Sequence, residues 1–161
     1  MAAASAGASD VLTGQAEVVD AVLAASRVFV AVASNALAGL SPEVTLPQFR
    51  ALVLLEGRGA MTVAELAADL GVTPSTASRM CDRLVGKKLV RRTLDPSNRR
   101  RVRLTLHASG RELIAASTKR RKQQIARLLR TIPAKEQNRL AGALQVLVAA
   151  AETSGHIAVP R

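Results

Sequence analysis

Hydroxyl and guanidinium side chains are concentrated in one short stretch, TPSTASRMCDRLVGK, at residues 73–87. Thr73 is a good helix cap and Pro74 suits a first helical position, so the stretch predicts a helix. Hydroxyls near the start of such a helix can bind phosphates or bases, and a guanidinium can bind guanine through two hydrogen bonds. The residues expected to contact nucleic acid here are Thr73, Pro74, Ser75, Thr76, Ser78, Arg79, Arg83 and Lys87.

A second cluster of charge lies further along the chain, in LDPSNRRRVRLTL. Residues 95–100 are expected to form a turn, followed by a strand at residues 101–106 in which Val102, Leu104 and Leu106 face the core. Arginines at the mouth of a hairpin can bind phosphates or enter a narrow minor groove, where negative potential concentrates. The contacts predicted in this segment are Ser97, Asn98, Arg99 and Arg100.

The charge of the chain favours nucleic acid as its partner. The 161 residues carry a net charge of +11, and residues 79–130 contain 17 Lys/Arg against 3 Asp/Glu. Such a field is typical of nucleic-acid binding, and an anionic membrane is the second candidate. Phe29 and Phe49 are the only aromatic residues. The core must therefore consist of Leu, Val and Ala, and stacking platforms for single strands are excluded.

Catalytic and metal chemistry find no support in the sequence. No cluster of His, Cys and carboxylates has metal-ligand spacing, and no catalytic triad, carboxylate pair, phosphate loop or dinucleotide motif occurs. We therefore expect neither an enzyme nor a cofactor. The single cysteine, Cys81, fits a reducing cytoplasm and a small buried side chain. No apolar run is long enough to span a membrane.

Turn and cap signals divide the chain into six helices and two short strands. Helices are expected at about residues 11–40, 46–56, 62–70, 74–85, 110–131 and 134–152, and strands at 89–93 and 101–106. Thr62 and Glu65 form a capping-box pattern, and Thr62 is a further candidate DNA contact. Ser109 is expected to cap the fifth helix. Two short helices around Gly71, followed by a hairpin, indicate a mainly α fold with a winged helix-turn-helix.

The two terminal regions carry apolar faces that this central lobe cannot cover. The first helix is apolar on several sides, and the last presents Leu140, Leu144, Leu147 and Ala151 on one side. We therefore predict an obligate two-fold homodimer. The predicted organisation is a disordered tail at 1–10, dimerisation regions at 11–45 and 108–152, a DNA-binding lobe at 46–107, and a flexible tail at 153–161.

The chain resembles the MarR family of winged-helix transcription regulators over about residues 11–152, most densely in LAADLGVTPSTASRMCDRLVGKKLVRRTLDPSNRRRVRLTLHASG. The resemblance implies a homodimer that binds a pseudo-palindromic operator as a ligand-responsive repressor. It places Arg79 where the family contacts a base, and Arg100 where the family's wing arginine enters the minor groove. Asn98 stands where the family commonly has the Asp that orients this arginine, and Asp95 could substitute for it.

The resemblance also implies a small effector, apolar or phenolic, in a cleft between the dimer region and the DNA-binding lobe. Phe29, Phe49 and Arg50 are the candidate wall residues. Two other functions remain open: an architectural protein that coats DNA without strong sequence preference, and an amphipathic protein at a membrane surface. The position of the charge on a winged helix disfavours the membrane. The basic run at residues 119–122 is either a solvated face or a secondary phosphate contact.

Overall fold

A computed structural model describes residues 3–95 and 98–154, without the side chains of residues 3–13, 99 and 100. Within these ranges, six helices and one hairpin follow the predicted order. The helices are α1 (Ala3–Leu37), α2 (Leu46–Arg58), α3 (Val63–Leu70), α4 (Pro74–Gly86), α5 (Ala108–Leu129) and α6 (Ala134–Ser154), and the strands are β1 (Val90–Asp95) and β2 (Asn98–Leu106). The predicted fold class, mainly α with a hairpin wing, is confirmed.

Local hydrogen bonds begin α3 and α4 at the residues that the sequence predicts. The Thr62 hydroxyl accepts from the Glu65 backbone at 3.2 Å, and the Glu65 carboxylate accepts from the Thr62 backbone at 2.7 Å. Thr73 caps α4, with Pro74 at its first position. Gly71 ends α3 with a φ of 69°, a left-handed conformation that glycine adopts without strain. These caps fix the tight turn between α3 and α4.

The core lies among α2, α3, α4, the base of the hairpin and the start of α5. It is aliphatic, as the scarcity of aromatic residues predicts, and Phe49 is its one aromatic member. Its largest fully buried side chains are Leu52, Leu55, Leu66, Leu84, Leu89 and Leu104. A Cβ at Gly110 would lie 2.4 Å from the carbonyl oxygen of Leu89. Glycine therefore lets the start of α5 pack directly on the base of the hairpin.

The hairpin differs from the prediction at its tip. The strands pair regularly as far as Leu94 and Val102, after which Asp95 pairs with Asn98. The predicted six-residue turn is therefore wrong, and residues 99–101 lie on β2, in an irregularity with no counterpart on β1. Strand pairing satisfies backbone groups that an open turn would leave to water, and the extra residues are absorbed as a bulge.

Val102 is not a core residue, contrary to the prediction from strand alternation. Leu104 and Leu106 are buried, whereas Val102 is 44% exposed and its cross-strand partner Leu94 is 61% exposed. The alternation of apolar and polar residues does place Val102 on the same side of β2 as Leu104 and Leu106. The hairpin, however, extends past the edge of the core at this pair, so the side chains have nothing to pack against.

The terminal helices are longer than predicted. α1 begins at Ala3, so residues 3–10 are helical rather than disordered. These residues are rich in Ala, the best helix former, and they continue the helix that follows. α6 reaches Ser154, two residues into the predicted flexible tail. The rest of that tail, 155–161, and residues 1–2 lie outside the described residues.

The cap of α5 also differs from the prediction. His107, not Ser109, is the capping residue, and its Nδ1 accepts from the Ser109 backbone at 3.3 Å. The Ser109 hydroxyl donates instead to the carbonyl of Lys88 at 2.6 Å, while the His107 backbone donates to Leu89 at 2.9 Å. Both residues therefore attach the start of α5 to the segment that leads into β1.

α1 and α6 leave large apolar side chains exposed. Val18 is 62% exposed and Phe29 46%, and α1 is buried mainly near its C-terminus, where it packs on α5. None of the residues of α6 is buried. The described chain therefore carries two long helices whose apolar faces have no cover.

Candidate nucleic-acid interface

α4 has one buried face and one exposed face. Ala77, Met80, Cys81 and Leu84 are buried against the core. These positions recur every three to four residues, so the opposite side of the helix is left to solvent. The predicted contacts that the structure brings together on this exposed surface are Thr73, Pro74, Ser75, Thr76, Arg79 and Arg83, whereas Ser78 is half-buried.

The hydroxyls at the start of α4 form a small cluster. The Oγ1 of Thr73 lies 3.1 Å from the hydroxyl of Ser75 and 2.9 Å from that of Thr76. It also accepts from the backbone of Thr76 at 3.3 Å. The cap thus holds two neighbouring hydroxyls at fixed positions, and each retains further hydrogen-bonding capacity for an incoming group.

The two arginines of α4 and Lys87, the residue that follows the helix, differ in their surroundings. Arg79 and Arg83 are exposed, and the side chain of neither has a hydrogen-bond or ion-pair partner among the described residues. Lys87 is half-buried, and its Nζ donates to the carbonyl of Glu43 in the connection between α1 and α2. Two guanidiniums are therefore available to a ligand, whereas Lys87 holds the connection between α1 and α2 against the end of α4.

An ion pair between the two strands of the wing holds Arg103, and this arginine attaches the wing to the segment before α3. Asp95 is buried, and its Oδ2 lies 2.8 Å from the Nε of Arg103. The same guanidinium donates to the carbonyl of Ala60 at 3.1 Å, and Met61 pairs with Leu104 beside it. Asp95 therefore orients the wing through Arg103. The side chain of Arg100, its predicted partner, lies outside the described residues.

A second ion pair joins the wing to α4. Arg92 on β1 donates to the Oδ1 of Asp82 at 2.6 Å. Sequence reasoning singled out neither Arg92 nor Arg103. The register of the two strands could have identified them. Both arginines lie on the paired part of the hairpin, where one reaches α4 and the other reaches the segment before α3. Asn98 and Arg101, by contrast, are exposed, and Ser97 lies outside the described residues.

Comparisons with known proteins agree with this geometry. The model of the MarR family matches residues 44–102. An HTH-type transcriptional regulator of Mycobacterium tuberculosis is 32% identical over 114 residues, which are 71% of this chain and 80% of the relative. The chain belongs to the MarR family. Its members are transcriptional regulators that bind DNA.

Two further relatives extend the comparison. The HTH-type transcriptional repressor MdtR of Bacillus subtilis is 34% identical over 110 residues, 68% of this chain and 71% of the repressor. The crystal structure of RV1404 from Mycobacterium tuberculosis superposes with a TM-score of 0.77 at 37% identity, covering 89% of this chain and 95% of that one. The match to RV1404 includes most of the terminal helices as well as the central lobe.

Positive potential in this MarR-family lobe extends from the wing to the start of α3. A hydrogen bond from the Thr62 backbone is the main cause that lowers the pKa of Glu65 below its ordinary value of 4.5, and the Thr62 hydroxyl contributes next. The charges of Arg103 and Arg101 lower the pKa of this carboxyl further. Thr62, a predicted DNA contact, is itself half-buried and engaged in the capping box.

The predicted effector residues do not all meet. Phe49 and Arg50 line one open cavity of about 480 Å³ among α2, α3, α4 and α5, whereas Phe29 lies exposed on α1 and outside its lining. Arg121 of α5 also lines this cavity, and Arg50 donates to the carbonyl of Asp69 at 3.1 Å. The cavity therefore has apolar walls and two guanidiniums, from different helices, at its border.

The basic run on α5 does not act as one patch. Arg120 donates to the carbonyl of Ala38 at 2.7 Å, at the end of α1, and Arg121 lines the cavity. Lys119 and Lys122 are exposed. Over the described ranges, no helix is long and apolar enough to cross a membrane, and no group of His, Cys and carboxylates could hold a metal ion.

Proposed function

We propose that this protein is a sequence-specific regulator that binds a pseudo-palindromic, double-stranded operator as a homodimer and represses transcription. The observation that carries the proposal is the exposed face of α4. There, the side chains of Arg79 and Arg83 have no partner among the described residues. The wing beside them is held to the same lobe by the ion pair from Arg92 to Asp82. Such a helix suits a major groove, and such a wing suits the adjacent minor groove.

The dimer is supported by the exposed apolar faces of α1 and α6. Isolated exposed apolar residues are ordinary, but two whole helix faces are typical of an interface. A two-fold axis would place two copies of α4 on one side of the assembly, about one helical turn of DNA apart. Sedimentation at micromolar concentration should give twice the chain mass, and a folded monomer there would contradict the dimer.

Repression is supported by a relative, and effector binding by a cavity. MdtR carries the name of a repressor, which supports that sign of regulation for a chain 34% identical to it. The cavity lined by Phe49, Arg50 and Arg121 has the chemistry for a small apolar or phenolic acid, since arginines bind carboxylates and aliphatic walls bind rings. A screen of such acids by thermal shift and DNA release, repeated with Arg121→Ala, tests this assignment.

The single cysteine continues to predict a cytoplasmic location.

Selection of bound genomic fragments, followed by titration of the recovered site, tests the DNA-binding proposal. A regulator should prefer its site to random DNA by about 10³-fold or more. Contacts with roughly 6–10 phosphates should give a slope of log K on log salt of about −5 to −9. A steep slope without sequence preference would instead establish the architectural DNA-coating protein, and a slope near −1 would contradict both.

Variants of two arginines separate their proposed roles. Arg79→Ala should weaken binding by about 1–3 kcal/mol per half-site and flatten the preference at one major-groove position. Arg127→Ala, an exposed arginine near the end of α5, is the matched control and should leave that preference intact. Arg100→Ala should weaken binding mainly to operators with A·T-rich flanks. Equal loss on every flank would reduce Arg100 to a phosphate contact.

A further inference from the structure

The outer part of the wing carries an apolar patch that the chain does not cover. Leu94 is 61% exposed and Val102 is 44% exposed. The two residues are Cα partners across the hairpin, so their side chains stand side by side on one face. This patch, the Leu94–Val102 pair, is the last regular pair before the bulge of residues 99–101.

The register of the hairpin shows where the Leu94–Val102 pair faces. The preceding pair on the same face joins Arg92 to Leu104, because alternate residues of a strand share a side. Leu104 is fully buried in the core, and Arg92 reaches across to Asp82 on α4. The Leu94–Val102 pair therefore continues the side of the wing that looks towards α4, one step further from the core.

Charge around the pair favours one kind of occupant. Along the hairpin, Arg92 lies on one side of the pair and the run Arg99–Arg101 on the other, and α4 exposes Arg79 and Arg83. An apolar protein surface would gain nothing from these cations. A DNA strand offers phosphates for the cations and, between successive phosphates, a deoxyribose ring whose C–H groups are apolar.

We infer that the Leu94–Val102 pair packs against deoxyribose of the DNA strand that separates the two grooves. The inference rests on the proposed function: with α4 in the major groove and the wing at the next minor groove, that strand must pass between them. The contact removes apolar surface from water, and it releases no counterions. It thus gives the wing a component of affinity that does not depend on salt.

The test is a salt titration of operator binding with Leu94→Ser/Val102→Ser. Loss of two apolar contacts in each half-site should weaken binding about tenfold or more at every salt concentration. The slope of log K on log salt should stay that of the wild type, because the phosphate contacts remain. The conservative variant Leu94→Met/Val102→Ile should bind like the wild type. Arg101→Ala should show the opposite signature, a shallower slope.

The outcomes distinguish this inference from the proposed function. A wild type without a preferred site would overturn the proposed function itself. If the wild type binds its operator and the double Ser variant binds equally well, only the deoxyribose contact is overturned. A shallower slope for the double variant would also overturn it, since the pair would then merely position arginines. If the double variant sediments at a different mass but binds DNA with unchanged affinity, the Leu94–Val102 pair contacts a second copy of the chain instead. Thermal unfolding of the variant should stay within a few degrees of the wild type, because a partly exposed cross-strand pair contributes only about 0.2–1 kcal/mol.

Discussion

Gly110→Ala should destabilise the protein through a single close approach. The added Cβ would lie 2.4 Å from the carbonyl oxygen of Leu89 and 2.8 Å from Cδ1 of Leu106. A carbon atom normally stays about 3.3 Å or more from a carbonyl oxygen, so α5 must move by nearly 1 Å from the hairpin. That carbonyl already accepts a hydrogen bond from the His107 backbone at 2.9 Å, and the movement strains this bond as well.

The size of the effect follows from three opposing terms. Overpacking costs about 1–3 kcal/mol, and a weakened buried hydrogen bond costs about 0.5–1.5 kcal/mol. Replacement of a helical glycine by alanine returns about 0.5–1 kcal/mol. The net loss should be about 0.5–4 kcal/mol, and the middle of that range, about 2 kcal/mol, corresponds to a fall in Tm of roughly 4–8 °C for a chain of this size. Because Leu89 and Leu106 lie at the base of the wing, operator affinity should fall too.

Thermal and urea unfolding at one fixed protein concentration would measure this effect, because the stability of a dimer depends on concentration. Gly142→Ala in α6 is the matched control. A Cβ there has nothing within 4 Å, and Gly142 lies on the opposite side of the helix from Leu140 and Leu144. This variant should gain about 0.5–1 kcal/mol. If Gly110→Ala were as stable as the wild type, the packing of α5 on the hairpin described above would be wrong.

Three other perturbations test separate parts of the lobe. Asp95→Asn should lower the free energy of unfolding, measured in urea, by about 1–2 kcal/mol. In this variant Arg103 keeps its hydrogen bond to the carbonyl of Ala60 but loses its buried carboxylate partner. Unchanged stability would contradict the ion pair. Burial raises the pKa of the Cys81 thiol and keeps the reagent away from it. Near pH 8, the thiol of the native protein should therefore react with iodoacetamide at least about tenfold more slowly than that of the protein unfolded in urea. Equal rates would show that the thiol is accessible in the native protein. The pKa of Glu65 is lowered in the folded state, so its contribution is present above the unfolded pKa and is lost as pH falls through the folded value. When the pH falls from about 5 to about 3, Glu65→Gln should therefore lose less stability than the wild type. If the two free energies of unfolding fall in parallel over this range, the charge of Glu65 does not stabilise the start of α3.

The features that sequence predicted well depend on neighbours within one helical turn. The capping box of Thr62 and Glu65, the cap at Thr73 and the left-handed Gly71 need only residues three or four positions apart. The positions of α3 and α4 follow from them, and with these the exposed face of α4. The sequence therefore predicted which side of α4 is exposed, whereas the DNA contacts of the residues on that side stay a prediction.

The wing was predicted less well because its details depend on distant partners. Alternation placed Val102 on the correct side of β2, but how far the core extends is decided by other elements. The turn residues after Leu94 marked a reversal of the chain, whereas the pairing of Asp95 with Asn98 is a property of two strands together. Likewise, Phe49 and Arg50 share a cavity with Arg121, which lies 71 residues after Arg50 in the chain, while Phe29 does not line it.

The distribution of ion pairs explains how so basic a segment can fold and still bind DNA. Residues 79–130 contain only three acids, Asp82, Asp95 and Glu112. Two of these bind arginines of the wing: Asp82 joins the hairpin to α4, and Asp95 joins the two strands of the hairpin to each other. The exposed guanidiniums of α4 are left unpaired among the described residues, at the cost of mutual repulsion. A phosphate backbone relieves that repulsion, which is why the same arrangement that weakens the free protein should strengthen its complex with DNA.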